Sequence, residues 1–237
     1  MTVRWETTQV QGRPMRIYLG VPNRPGPHPT VLIAQHAGGV DAQMQDGVHR
    51  LYRAGYAVAA PELFHRQDPG IEPLKRTSLL RDDEIIADLN ATIAHLKSLP
   101  VAIGPIGIIG FCMGGRVAYL AAGSIPELKA AVVFYGGNTM KALGDGPSPF
   151  ERTQNIQCPV LGFFGADDTN PSPDDVKRLD AELTRLGKWH EFHTYAGAGH
   201  AFQNFTGERY RERAARASWT EMLAFLTERL KREVEPS

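Results

Sequence analysis

The stretch Ile106-Gly107-Ile108-Ile109-Gly110-Phe111-Cys112-Met113-Gly114-Gly115-Arg116 decides the fold of this chain. Its first half is an apolar, β-branched run typical of a buried strand, and the residues that follow it are typical of a helix. Between them lies Gly-x-Cys-x-Gly, whose small residues allow a strained turn from strand to helix. The pattern matches the Gly-x-Ser-x-Gly turn that exposes a nucleophile above a sheet, with a thiol in place of the hydroxyl.

This turn has two interpretations when it is taken alone. A glycine-rich turn can simply bury a small cysteine, because free cysteine is often a core residue. As a nucleophile, Cys112 would stand exposed at the start of the helix, and the backbone amide of Met113 would stabilise a negatively charged oxygen there. The remainder of the chain favours the nucleophile.

The composition indicates a neutral chain of 237 residues, of which 42% are hydrophobic. Lys plus Arg and Asp plus Glu each number 26, so bulk charge favours neither a nucleic-acid nor a membrane partner. No apolar run approaches the ~18 residues of a membrane span, and the polar N-terminus lacks the core of a signal peptide. The two cysteines, Cys112 and Cys158, do not read as a disulfide, which predicts a reducing, cytoplasmic location.

Strands and helices alternate along the chain and predict one α/β domain over residues 1–237. The predicted strands are 3–11, 14–20, 30–34, 56–60, the run before Cys112, 129–135, 159–165 and 189–195. The predicted helices are 40–54, 82–99, the run after Cys112, 173–186 and 209–232. This order implies a mostly parallel central sheet with helices on both faces, and ligands then bind at the carboxyl ends of the strands.

A base and a carboxylate follow later strands of the predicted sheet. A nucleophile on such a turn is followed in the chain by an acid and then by a histidine. Asp168 comes after strand 159–165 and His200 after strand 189–195, so we assign them as the orienting carboxylate and the base. Asp167 is the competing acid, with surface solvation as its other role. His36, at the end of strand 30–34, is a candidate for a contact in the same site.

At these residues the sequence resembles the dienelactone hydrolase family of the α/β-hydrolase superfamily, over nearly its whole length. The segments that carry the resemblance are Gly110-Phe111-Cys112-Met113-Gly114-Gly115, residues 54–64, Phe164-Gly165-Ala166-Asp167-Asp168 and Gly197-Ala198-Gly199-His200-Ala201-Phe202. The resemblance implies an α/β-hydrolase fold and a Cys-His-Asp triad that needs no cofactor. It also implies hydrolysis of a strained enol-lactone in aromatic degradation, with a second oxyanion donor at the amide of Ala37.

The chain departs from the family where substrate specificity is set. The family's lactonases carry a glutamate that takes part in activating the thiol, and His36 occupies that position here. An imidazole cannot act as a carboxylate, but it can pair with a thiolate or contact substrate. The family also binds a substrate carboxylate through arginines. One of those positions holds Asn204, and another falls near Arg76 and Arg81. His36, Arg81 and Phe202 are therefore our candidate substrate contacts.

Other functions remain open at the level of sequence. One alternative is a broad small-ester or thioester hydrolase outside aromatic degradation, and another is a non-catalytic ligand-binding protein or thiol redox sensor. No metal-ligand spacing, dinucleotide fingerprint or P-loop is present in the sequence, so we expect no metal or cofactor. The sequence predicts an irregular segment at 65–80 and a second long loop at 136–157, and segments of this length are often functional or form a cap over a site. It is compatible with a monomer or a homodimer that acts on a small ester or lactone.

Overall fold

A computed structural model describes residues 3–23, 26–101 and 103–231 of the chain. Within these residues eight strands form one sheet in the order β1-β2-β4-β3-β5-β6-β7-β8. The strands are β1 (Val3–Val10), β2 (Arg13–Gly20), β3 (His28–Ala34), β4 (Ala57–Pro61), β5 (Ile103–Phe111), β6 (Leu128–Phe134), β7 (Val160–Gly165) and β8 (His190–Tyr195). Strand β2 runs antiparallel to both of its neighbours, and the pairs from β4 to β8 are parallel.

Six α-helices connect or flank these strands within the described ranges. They are α1 (Ala42–Arg53), α2 (Pro73–Ser78), α3 (Asp82–Ser98), α4 (Met113–Ala122), α5 (Pro173–Arg185) and α6 (Glu212–Leu226). A short 3-10 turn spans Thr153–Asn155, and a wider π-type turn, Thr227–Lys231, continues α6. Arg232, the predicted end of the last helix, lies outside the described residues.

Local sequence explains where several elements begin. The side chain of Asp41 accepts hydrogen bonds from two backbone N–H groups in the first turn of α1, which fixes the start of that helix. Ser172 and Asp175 form a reciprocal capping box around the first turn of α5, with Pro173 at its first position. The β1–β2 hairpin turns through Gln11 and Gly12, both of which have positive φ.

The two faces of the sheet bury separate apolar clusters. Ile108 of β5 packs in the cluster that contains Leu120 of α4 and residues of α3 and α5. Ile109, the next residue, points to the opposite face and packs in the cluster that contains Met222 of α6 and residues of α1. Helices therefore cover both faces, and the predicted α/β-hydrolase fold with a mostly parallel sheet is confirmed.

Two parts of the sequence prediction need correction. Segment 65–80, expected to be irregular, contains helix α2, whose first turn is capped by the side chain of Glu72. The last helix begins at Glu212 rather than at residue 209. Residues 207–211 instead form a turn that includes a hydrogen bond from the backbone N–H of Tyr210 to the carbonyl of Gly207.

Candidate active site

Cys112 occupies the sharp turn between β5 and α4. Its φ of 57° and ψ of −119° lie in a region that L-residues rarely adopt, and its backbone N–H donates to the carbonyl of Phe134 at 3.0 Å. A Cβ on Gly110 would overlap the carbonyl oxygen of Gly114, and one on Gly114 would overlap that of Ala34. The two glycines are thus required because the start of α4 lies directly against the ends of β5 and β3.

Three side chains from three strand ends form a continuous line of contacts. Nε2 of His200 lies 2.9 Å from Sγ of Cys112, and Nδ1 of the same ring lies 2.9 Å from Oδ2 of Asp168. Cys112 follows β5, Asp168 follows β7 and His200 follows β8. The sheet therefore brings together residues that are up to 88 positions apart in the chain.

The electrostatic environment favours a charged imidazole at His200. Burial opposes the charge, but the hydrogen bonds to Asp168 and Cys112 outweigh it and raise the pKa of His200 to about 10. Near neutral pH the ring thus carries two protons, one directed at the carboxylate and one at the sulfur. A protonated imidazole beside a thiol favours the imidazolium–thiolate pair used by cysteine nucleophiles.

The two neighbouring aspartates lie in different environments. Asp168 is only 4% exposed, and its second carboxylate oxygen accepts the backbone N–H of Asn170 at 2.9 Å. Asp167 is exposed and borders a surface depression on the other side of His200. Of the two carboxylates, it is that of Asp168 that contacts His200.

Two backbone amides beside the cavity have no acceptor within the described ranges. Met113 is the first residue of α4, so its N–H has no acceptor within the helix. Ala37 lies in the tight turn that follows β3. Both residues line the same cavity as Cys112, and neither amide donates to another residue within the described ranges.

Cys112 and His200 open onto a cavity of about 320 Å³. One wall comes from α2, whose Leu74 remains 70% exposed at the cavity mouth. The opposite wall comes from the segment after β6. The cavity is lined by Ala37, Leu74, Thr77, Ser78, Cys112, Met113, Arg116, Gly137, Asn138, Lys141, Leu143, Asn170 and His200. Segments 65–80 and 136–157 therefore both contribute walls to the site.

Arg116 lines the cavity, but its guanidinium is already neutralised. It forms a bidentate pair with the carboxylate of Asp82, at 2.6 and 3.0 Å, and also donates to the carbonyls of Asn138 and Lys141. The side chains of Arg116 and Asp82 are each less than 5% exposed. This pair ties α4 to α3 and to one cavity wall, which makes Arg116 a structural residue.

The structure places the three predicted substrate contacts away from the cavity lining. Phe202 is fully buried and packs its ring against Tyr135. Arg81 is half-buried and pairs with the exposed carboxylate of Asp145 at 2.8 Å. His36 turns its ring towards Asp41. None of the three is among the cavity-lining residues.

Tyr135 belongs to the site and was missed by the sequence analysis. Its φ of 39° is unusual for an aromatic residue, and its ring packs edge-on against His200 with centroids 5.2 Å apart. Burial and the nearby Cys112 raise the pKa of its hydroxyl well above the ordinary value, so Tyr135 stays neutral. Its place at the end of β6, in the line of strand ends that carries the other residues, is the signal that would have found it.

Among residues 3–23, 26–101 and 103–231, no group of three or more His, Cys, Asp or Glu side chains is arranged to hold a metal ion. Within the same ranges, no helix combines the length and the apolar character needed to cross a membrane.

Known proteins match this chain along nearly its full length. The model of the "Dienelactone hydrolase family" matches residues 15–230. A "Putative carboxymethylenebutenolidase" of Synechocystis sp. is 34% identical over 98% of this chain and all of its own. A "Probable 2-oxo-3-(5-oxofuran-2-ylidene)propanoate lactonase" of Bradyrhizobium sp. is 28% identical over 94% and 92%. A crystal structure described as a "Putative Dienelactone Hydrolase" of Klebsiella pneumoniae superposes with a TM-score of 0.88 at 30% identity, over 96% of this chain and all of that chain.

Proposed function

This chain belongs to the dienelactone hydrolase family, and we propose that it hydrolyses a small lactone or ester with Cys112 as nucleophile, His200 as base and Asp168 as orienting carboxylate. The line of contacts from Sγ through the imidazole to the carboxylate, open to a cavity, is the observation that carries the proposal. The reaction is cofactor-independent, because each step uses these groups and water. We also propose one hydrolase domain and a cytoplasmic location, where the thiol stays reduced.

The first half of the reaction transfers the acyl group to sulfur. The Cys112 thiolate attacks the carbonyl carbon, and the amides of Ala37 and Met113 stabilise the resulting oxyanion. The adduct collapses by breaking the bond to the ester or lactone oxygen, which takes the proton on Nε2 of His200. The product is a thioester and, for a lactone, the released oxygen remains attached to the same acyl chain.

The second half of the reaction hydrolyses the thioester. The now neutral His200 accepts a proton from water as the water oxygen attacks the thioester carbonyl. The same two amides hold the second oxyanion, and its collapse expels the thiolate and frees the carboxylic acid. Throughout, Asp168 fixes the tautomer of the ring and stabilises its charged form.

The sulfur nucleophile narrows the substrate class. In a tetrahedral adduct the better leaving group departs, and a thiolate leaves more readily than an amine. An amide adduct therefore needs prior protonation of its nitrogen to go forward, whereas the adducts of enol-lactones, activated esters and thioesters already carry leaving groups that compete with the thiolate. This supports the lactone and ester substrates, and the Bradyrhizobium relative is itself named a lactonase.

The test of the proposal is turnover of 4-nitrophenyl acetate and of a dienelactone by wild type and by Cys112→Ala. Wild type is expected to hydrolyse at least one of them, and Cys112→Ala is expected to be inactive with an unchanged circular dichroism spectrum. Substantial turnover by Cys112→Ala would contradict the assignment. Inactive wild type with peroxide-dependent oxidation of Cys112 would instead favour the redox sensor.

A second candidate function is a broad small-ester or thioester hydrolase outside aromatic degradation. Three features favour it: His36 stands at the position of the family's glutamate, Asn204 stands at an arginine position, and Arg116 is paired with Asp82. A panel of matched esters with and without a free carboxylate separates the two candidates. A preference for the carboxylate form would support the dienelactone-like function, and indifference to it would support the broad esterase.

A further inference from the structure

We propose that His36 is a positioning residue that holds the backbone amide of Ala37 in place for the oxyanion. This inference rests on the function proposed above, in which that amide is one of two oxyanion donors. It assigns His36 a role different from both substrate contact and thiol activation. Two contacts of the imidazole and the space that Gly38 leaves for its ring support the assignment.

The first contact lies within the turn itself. Nδ1 of His36 accepts the backbone N–H of Gly38 at 3.1 Å, and the carbonyl of His36 accepts the N–H of Gly39 at 3.0 Å. Ala37 lies between these two fixed points. The amide on one side of Ala37 is thus held by the side chain of His36, and the turn is closed by its backbone.

The second contact is an ion-pair distance between the ring and the residue that caps a helix. Nε2 of His36 lies 2.9 Å from Oδ2 of Asp41, whose other oxygen accepts the N–H groups of Gln43 and Met44 at the start of α1. Burial opposes ionisation of Asp41, but the contact with His36 and these backbone hydrogen bonds lower the pKa of its carboxyl. The ring of His36 therefore lies beside the capping residue of α1, and this places the turn relative to the start of that helix.

The third feature is the space that the ring occupies. A Cβ on Gly38 would collide with Cε1 of His36, so glycine at this position allows the imidazole to fold back over its own turn. The sequence His36-Ala37-Gly38-Gly39 therefore supplies both the ring and the room for it. A ring folded back in this way is directed at α1 and not at the cavity, whose lining omits His36.

The two nitrogen contacts also define what each substitution removes. In His36→Asn the side-chain oxygen takes the place of Nδ1 and keeps an acceptor for Gly38. His36→Leu removes both contacts, and His36→Gln reaches towards Asp41 without the acceptor near Gly38. His190 on β8 provides a matched control, because it also contacts the backbone with Nδ1 and a carboxylate with Nε2. Its Nδ1 lies 2.9 Å from the carbonyl of Lys188, and its Nε2 lies 3.1 Å from Asp180.

The experiment measures two rates on the full chain for each variant. Steady-state hydrolysis of 4-nitrophenyl acetate depends on the oxyanion donors, and alkylation of Cys112 by iodoacetamide does not. We expect His36→Leu to lower kcat by about 10–100-fold. Loss of a whole oxyanion donor costs about 10²–10³-fold, and a misplaced amide loses part of that contribution. KM and the alkylation rate are expected to stay within about twofold, since ground-state binding is retained.

The conservative variant distinguishes positioning from a general loss of structure. His36→Asn is expected to keep most of the wild-type kcat, and His190→Leu all of it. If His36→Leu does not fold, the contrast between His36→Asn and His36→Gln carries the same information. Gly38→Ala, which crowds the ring without removing it, is expected to lower kcat in the same way as His36→Leu.

Several results would overturn the proposal. A parallel fall in alkylation and turnover would show that His36 acts on the thiol, and a rise in KM alone would show that it contacts substrate. Unchanged turnover in His36→Leu would remove the role altogether. A wild-type protein that hydrolyses no ester would instead refute the proposed function, so the two failures are distinguishable.

Discussion

Two imidazole–carboxylate pairs in this molecule differ in the partner of the second ring nitrogen. In the pair at the strand ends, His200 contacts Asp168 with Nδ1 and the sulfur of Cys112 with Nε2. In the pair between the segment after β4 and α3, Nε2 of His65 lies 3.1 Å from Oδ1 of Asp88. The other nitrogen of His65 contacts the backbone carbonyl of Pro14 at 3.1 Å.

The two pairs also differ in access to solvent and ligands. The side chains of His65 and Asp88 are 4% and 1% exposed, and Arg66 donates to the same carboxylate at 2.8 Å. The ring of His200 is 23% exposed and borders the cavity. An imidazole beside an aspartate therefore becomes a reactive group only where its second nitrogen meets a nucleophile at an opening. Elsewhere the same pair holds two parts of the chain together.

The largest expected effect comes from Asp168→Asn, which removes the orienting charge from the reactive pair. We expect kcat/KM for 4-nitrophenyl acetate to fall by about 10³–10⁴-fold, because an amide favours the wrong tautomer of the ring and does not stabilise its charged form. Asp167→Asn is the matched control and should stay within threefold of wild type. If Asp167→Asn loses kcat/KM and Asp168→Asn keeps it, the orienting carboxylate is that of Asp167 instead.

The next effect is expected in the other pair and concerns folding. Asp88→Asn leaves the guanidinium of Arg66 without its buried carboxylate partner, and breaking such a pair costs about 3–5 kcal/mol. Urea unfolding followed by circular dichroism measures this loss of unfolding free energy. The kcat of the folded fraction should remain that of wild type. A fall in kcat without a loss of stability would mean that both pairs serve the reaction.

A smaller effect is expected in the pH dependence of stability. Because the folded pKa of His200 is raised to about 10 from an unfolded value near 6.5, its contribution is fully present below pH 6.5. The contribution is lost progressively as the pH rises towards 10. Unfolding in urea between pH 7 and 10 should show this decline.

Removing the sulfur sharpens the same measurement. In Cys112→Ala the imidazole keeps Asp168 but loses the second group that raises its pKa. The decline in unfolding free energy between pH 7 and 10 should then be smaller than in wild type. An identical decline in both proteins would show that the thiol does not hold the proton on His200.

The sequence was sufficient for the elements whose pattern is local. The antiparallel pair at residues 3–20 and most of the parallel strands fall within two residues of their predicted bounds, because continuous apolar runs and turn glycines mark them. Strand β5 is the exception, because it begins at Ile103 and the predicted run begins at Ile106. The contacts of Cys112, Asp168 and His200 also follow from local signals. Each residue stands at the end of a recognisable strand, and parallel strands end at one edge.

The features that the sequence did not predict depend on long-range contacts. Helix α2 has only six residues, which is too short for an apolar stripe to appear. The neutralisation of Arg116 requires Asp82, 34 positions earlier, and no pattern links the two. The positive φ of Tyr135 accompanies the packing of its ring against His200, 65 positions later in the chain.

The cavity walls described above have a consequence for how this protein can diversify. The proposed catalytic residues stand on strand ends that pack in two apolar clusters. One wall of the cavity, in contrast, is a six-residue surface helix whose Leu74 belongs to neither cluster and is 70% exposed. Replacements in Pro73–Ser78 would therefore alter which molecules fit without disturbing the sheet. Substrate specificity can therefore change through substitutions in α2 while the residues at the strand ends stay the same. Mutant libraries confined to that helix are a direct way to search for new specificities.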